Sequence, residues 1–399
     1  MRPGQDRLVT TTEHLGQARS WRRHLHQHPE LGFAEHETSD FVAATLAEIG
    51  VDVTRGVGGT GVVGSLRRGR SGRAVGLRAD MDALALTEVG EHAHRSRHDG
   101  ATHACGHDGH MAMLLGAAAV LAAEGGFDGT VRFVFQPAEE HGRGARAMLD
   151  DGLFSRFPVD AVYGLHNLPG LPAGQLHTRP GPVMAAEDNF EIRILGRGGH
   201  AARPHMVVDP LVVAAEIITA LQTIVARNLD PSQSAVVSCT SVTSDGVRNA
   251  IPGEVVVRGD TRSFEPEVRA LLEVRMRELC TGIAAAHGAR AEVSYTHEFE
   301  PTVNEPACTE AAVRAARAVA GDDRVDPACA PVLASEDFGL FADAVTGCFT
   351  FIGNGTEPGA GGTPLHSSDY DFNDDVLETG IAFYVSLIRS VMPTDEPAR

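Results

Sequence analysis

The sequence predicts an α/β protein in which a doubly wound, mainly parallel sheet is interrupted by an inserted ferredoxin-like βαββαβ unit. Three observations predict it. Short apolar runs alternate with helical patterns through residues 1–186, a βαββαβ rhythm fills 187–298, and α/β character returns over 299–399. The first unit is therefore discontinuous, and the second is an inserted domain.

Thr12 to Ile49 reads as helical, with His24 to Pro29 interrupting and Glu37-Thr38-Ser39 leading into the periodic run Phe41, Val42, Leu46 and Ile49. Strands follow at Gly61 to Leu66, Ala74 to Arg78, Thr130 to Phe135 and Ala161 to Leu165, with a helix from Gly109 to Ala123 among them. From Asn189 the order is strand (to Leu195), helix (Val207 to Arg227), strands at 234–243 and 254–262, helix (265–286) and strand (290–297). Gly347 to Gly353 is a further strand, and a last helix begins at Asp374.

At 399 residues and 43% apolar content, two compact domains are expected. The formal charge of -19 is spread along the chain and disfavours nucleic acid as a partner. The chain has no Lys, which excludes Schiff-base lysine chemistry. With no basic start before an apolar stretch, and no run near the roughly 18 uninterrupted apolar residues of a membrane helix, a cytoplasmic protein without a membrane partner is expected. The six cysteines lack framework spacing, so free thiols in a reducing compartment are expected.

Chemistry concentrates in His103-Ala104-Cys105-Gly106-His107-Asp108-Gly109-His110. A thiolate and an imidazole two residues apart can face one cation if Gly106 bends the chain between them. The alternative reading is a small buried thiol among the chain's 19 histidines. The run Phe133 to Phe135 ends in Gln136-Pro137-Ala138-Glu139-Glu140, where one carboxylate can bind metal and its neighbour can take a proton from water. His166 and His366 each follow apolar sequence, and a cysteine, a carboxylate and three histidines suffice for two adjacent metals. His103 and His110 read as structural.

Arg23 to Leu31, Arg78-Ala79-Asp80-Met81-Asp82-Ala83-Leu84, Cys105 to His110, Gln136 to Glu140, Gly198 to Pro204, Asn249-Ala250-Ile251-Pro252 and Ser335-Glu336-Asp337-Phe338 occur in this order. Together they resemble the dinuclear metallopeptidase family of aminoacylases and carboxypeptidases, in the branch of hippurate hydrolase and the plant auxin-conjugate amidohydrolases. The resemblance implies ligation of two divalent ions by Cys105, His107, Glu140, His166 and His366, with Glu139 as general base. It implies that Asp80 orients a ligand and that His200 reaches the oxyanion, often from a partner subunit, which would make the inserted domain both a lid and a dimerisation element. Arg78 stands where relatives outside the branch carry a histidine, and Cys105 is the candidate replacement for their bridging aspartate.

Asn249 and Arg262 are candidate binders of a substrate carboxylate, Arg262 equally a surface strand residue. The donor set suits zinc or manganese, with cobalt or nickel as alternatives. The expected activity is hydrolysis of N-acyl, N-aroyl or N-acetyl amino acids. A metallo-dipeptidase or carboxypeptidase, or an inactive binding protein on the same fold, are the alternatives. A homodimer or higher homo-oligomer is expected.

Overall fold

The computed structural model describes residues 12–394 and divides into two compact units, Met1–Val183 with Thr302–Ala330 and Glu336–Arg399, and Met184–Pro301 with Pro331–Ser335. The sequence assigns Pro331–Ser335 to the first unit. The parallel bridge from Met184 to Val332, the Ala185 N–H shared between the Val332 and Ala334 carbonyls, and the Arg262–Ser335 hydrogen bond tie it to the second, and none of these leaves a periodic signature to read.

In the first unit, helices α1 (Thr12–Gln27) and α2 (His36–Ile49) precede strands β1 (Asp52–Val57), β2 (Gly61–Arg68) and β3 (Ala74–Asp80). Helix α3 (His107–Glu124), β4 (Gly129–Gln136) and β5 (Ala161–Pro169) follow. The first helix runs through His24 to Gln27, so the break that the sequence places at His24 falls after Gln27 instead. The eight-stranded sheet has the order β1, β2, β4, β3, β5, Gly347–Gly355, Leu176–His177, Val325–Asp326. Its middle, β4, β3, β5 and Gly347–Gly355, is parallel, whereas β1 and β2 add antiparallel to one side. All nine residues of Gly347–Gly355 are buried, as a parallel strand covered on both faces requires.

Both faces are covered. On β5, a Cβ at Gly164 would meet Phe349 and Phe338, the latter opening helix Phe338–Ala344. The next side chain, Leu165, reaches Gly380 of helix Leu377–Val391 on the opposite face. That helix packs on α3 through reciprocal notches. A Cβ at Gly116 would lie 2.5 Å from Ile381, and one at Gly380 would lie 2.0 Å from Met113. The α3 sequence is apolar on every side from Met111 to Ala123, and the helix is buried from His107 to Leu121, so it forms the centre of the main core.

The second unit has four antiparallel strands ordered Ala235–Ser244, Glu254–Ser263, Ala186–Leu195, Arg290–Phe299, with helices Pro210–Thr223 and Pro266–Ala286. In chain order this is βαββαβ. Phe190, Ile192 and Ile194 alternate onto one face and pack with Val213, Ile217, Leu221, Leu272 and Met276. Asp209 caps the first helix by accepting from the Leu211 N–H, with Pro210 at its first position. Its continuation to Asn228 makes Pro210–Asn228 long and apolar enough on average to cross a membrane, although it holds no uninterrupted apolar run of that length. Glu216, Gln222 and Arg227 interrupt it, and Val213, Ala214, Ile217, Leu221 and Ile224 are buried in the unit's core.

Candidate metal centre

Parallel strands bring their carboxyl ends to one edge, where β3 delivers Asp80 and Asp82, β4 delivers Glu139 and Glu140, and β5 carries His166. The sequence places His166 just past its strand, whereas β5 continues to Pro169 with His166 opposite Phe351. Gly106 adopts φ 88°, and a Cβ there would lie 2.4 Å from Asn167 Oδ1. Only glycine fits this left-handed bend, which starts α3 at His107 and turns Cys105 and His107 toward the same edge. Two non-glycine residues with left-handed φ also border the site, Ala138 (49°) before Glu139 and His366 (62°). The His366 N–H donates to the Ala104 carbonyl at 2.8 Å, fastening the C-terminal loop to the cysteine motif.

The structure brings all five candidate ligands together. Donor atoms of Cys105, Glu140 and His366 form one group, and those of His107, Glu139 and Glu140 form another. His107 Nε2 is 3.8 Å from Glu140 Oε1, His366 Nε2 is 3.5 Å from Glu140 Oε2, and Cys105 Sγ is 3.6 Å from His166 Nε2. The imidazoles are oriented from behind. His107 Nδ1–H donates to the Asp82 carbonyl at 2.8 Å and His166 Nδ1–H donates to the Asn167 carbonyl at 2.7 Å, so both rings turn Nε2 toward the site.

These residues fit metal ions. His107 Nε2 and Glu140 Oε1 are buried and have no hydrogen-bond partner among the described residues. Burial, with Glu336, Glu140 and Asp337 nearby, holds the Glu139 carboxyl well above the usual range, and burial raises Glu140 to about 7. Burial, Glu140 and Glu139 push the Cys105 thiol up as well. So many acids in one buried place ionise together only when positive charge joins them.

Asp80 receives His110 Nδ1–H at 2.6 Å and Arg78 at 2.8 Å, and lies 3.7 Å from His107 Nε2. The His110 Nε2 accepts from the Asn167 N–H, so both its nitrogens are engaged. His103 is buried, and neither ring nitrogen has a hydrogen-bond partner among the described residues. Sequence reasoning missed Asp82, whose carboxylate also accepts from the Glu140 N–H at 3.0 Å. It likewise gave no role to Glu336 and Asp337, which with Gln136 and Asp80 surround the buried Arg78 guanidinium.

In the second unit, Gly199–His200 pairs with Ala250–Ile251, setting His200 opposite Ala250 and beside Asn249, whose carbonyl accepts from the Ala201 N–H. His200 Nδ1 accepts from the Ala202 N–H at 3.0 Å, which leaves the ring proton of a neutral imidazole on Nε2. Arg262 does not stand free, since it pairs with Glu187 at 2.6 Å and Asp260 at 2.7 Å and bonds Ser335.

Residues 76–390 match the model of peptidase family M20/M25/M40. A hippurate hydrolase of Campylobacter jejuni is 38% identical over 372 residues, 93% of this chain and 96% of that protein. Thermostable carboxypeptidase 2 of Saccharolobus solfataricus is 38% identical over 364 residues, covering 90% and 91% of the two chains. A crystal structure from Bacillus subtilis, described as a dinuclear metal-binding peptidase of the M20 family, superposes with a TM-score of 0.83 at 32% identity, covering 96% of this chain and 99% of that one. The chain belongs to peptidase family M20/M25/M40. It is a hydrolase of amide bonds.

Proposed function

We propose that the protein hydrolyses N-acyl amino acids, N-aroyl or N-acetyl, to a carboxylate and a free amino acid at a centre of two divalent ions. The observation that carries this reading is the convergence of Cys105, His107, Glu140, His166 and His366 beside the buried Glu139. The similarity to a hippurate hydrolase supports the acyl-amino-acid class. The mixed thiolate, imidazole and carboxylate set suits zinc or manganese, with cobalt or nickel able to substitute.

Divalent ions held by Cys105, His107, Glu140, His166 and His366 would activate water and polarise the scissile carbonyl. Glu139 takes the proton from the attacking water and returns it to the departing amine. Its carboxyl lies beside those of Glu336 and Asp337, which Arg78 holds in place. His200, with its proton on Nε2, is suited to donate to the developing oxyanion. Asn249, adjacent to it, is suited to the substrate's carboxylate end, while Arg262 acts within its own ion pairs. The second unit acts as lid and dimer element in this reading.

The similarity to a carboxypeptidase favours a second reading, peptide substrates with a free carboxyl end. Purified protein of measured metal content, given benzoyl-glycine, N-acetyl amino acids and dipeptides with free amino termini, separates the two. Faster turnover of the blocked substrates is expected. Preference for free dipeptides would replace the first reading with the second, and no turnover of any substrate by metal-loaded protein would overturn both.

A further inference from the structure

A second cluster of metal-binding side chains lies between α1 and the loops at 88–94 and 371–374, and the hydrolytic reading makes no use of it. His26, His92 and Asp371 each offer one donor atom, and these atoms all lie within 4.8 Å of one another. His94 stacks on His92 with ring centroids 4.2 Å apart and sets Nε2 3.0 Å from Asp371 Oδ1. We propose that His26, His92, His94 and Asp371 form a further divalent-cation site, separate from the candidate metal centre.

Three features support it. The first is ring orientation: His26 is fully buried, its Nδ1 sits 2.7 Å from the Asp108 carboxylate, and its Nε2 sits 3.3 Å from Glu88 Oε1, the oxygen that also lies 2.7 Å from His92 Nε2, so one carboxylate oxygen joins both imidazoles at the cluster. A carboxylate behind a histidine is the arrangement that fixes and strengthens metal-binding imidazoles. The second is spacing. Tetrahedral ligands with bonds of about 2.0–2.1 Å stand roughly 3.4 Å apart. His92 Nδ1 and Asp371 Oδ2 are 3.9 Å apart, so small side-chain rotations close the site.

The third is charge and access. With the imidazoles neutral, the carboxylates of Glu88, Asp108, Asp371 and Asp374 outnumber the guanidiniums of Arg19, Arg22 and Arg23 that pair with them, an excess of negative charge that favours a cation. Burial opposes charge on His26, yet Asp108 and Glu88 raise it to about 9, so a proton supplies part of this compensation when no cation does. A cavity of about 170 Å³ opens onto His94 and Asp371 and is bordered by Asp369 and Asp374, giving a cation a route to the donors.

The test counts zinc. Chelator-stripped wild-type protein and the H92A/H94A variant are equilibrated with zinc chloride, freed of excess by gel filtration and analysed for zinc per chain. The wild type should retain one equivalent more than the variant, while the variant keeps wild-type turnover of benzoyl-glycine. Because the difference is read, the result does not depend on how many ions the candidate metal centre holds or on which substrate it hydrolyses. Equal zinc content in the two proteins overturns the proposal. If circular dichroism shows the double variant unfolded, His94→Gln at the cavity wall carries the same comparison, and zinc content equal to wild type again overturns it.

Discussion

The backbone carbonyl of Asp82 receives the Nδ1–H of His107 at 2.8 Å, and the same residue's carboxylate receives the Glu140 N–H at 3.0 Å. One residue thereby orients two candidate ligands from different elements. Asp82→Ala leaves the carbonyl but removes the carboxylate that fixes the Glu140 loop. Metal affinity should fall about 10- to 100-fold, the usual cost of losing a group that orients a ligand. Competition with a chromogenic chelator measures it, and wild-type affinity would remove Asp82 from the centre's support.

Glu139→Gln keeps size and hydrogen bonding but cannot take a proton. The expected loss in kcat is about 10²- to 10⁴-fold, with metal content unchanged. A variant that instead loses metal would make Glu139 a ligand and not a base. Both elemental content and steady-state rates are therefore needed.

What was legible in the sequence divides by contact range. Cys105, Gly106 and His107 are neighbours in the chain, and the glycine that their convergence requires lies between them, so the motif could be read directly. Glu139 and Glu140 were legible because an apolar strand and Pro137 precede them. Arg78 meets Glu336 across 258 positions of sequence, and no local pattern announces that pairing. Asp82 acts partly through its backbone carbonyl, which every residue possesses, so its type alone could not mark it. The parallel sheet was legible from apolar runs, but the antiparallel addition of β1 and β2 was not, because alternation reports burial and not strand direction.

His200→Ala should lower kcat by about 10²-fold or more without altering metal content, as for loss of a preorganised oxyanion donor. The Ala202 N–H fixes the proton on Nε2, so His200→Gln, which retains a donor, should recover part of the rate. Unchanged turnover in His200→Ala would exclude the histidine from the reaction.

Metal binding should release protons. Without cations, burial and the neighbouring carboxylates keep the Cys105 thiol protonated, burial holds Glu140 at about 7, and His107 is raised to about 10, Asp80 outweighing the burial that opposes its charge. All three must lose protons to act as ligands, so apparent affinity should rise with pH between about 6 and 9. Zinc added to stripped protein at pH 7.5 in weak buffer should release about two protons per chain or more. Release of none would contradict the ligand set.

Arg78 is buried, donates to Asp80, Glu336, Asp337 and Gln136, and replaces a histidine expected in other branches of the family. Its role here is to hold three carboxylates beside Glu139, not to ligate. Arg78→Met retains volume but strands those carboxylates without a counter-charge, which should destabilise the protein by about 3–5 kcal/mol. Arg78→Lys restores the charge as a point and not as a planar fork, so it should recover only part of that loss. Denaturant midpoints of the three proteins, measured with chelator present, isolate this effect from metal binding. A Met variant as stable as wild type would mean that the carboxylates are protonated in the folded chain and that Arg78 carries little of the network's stability.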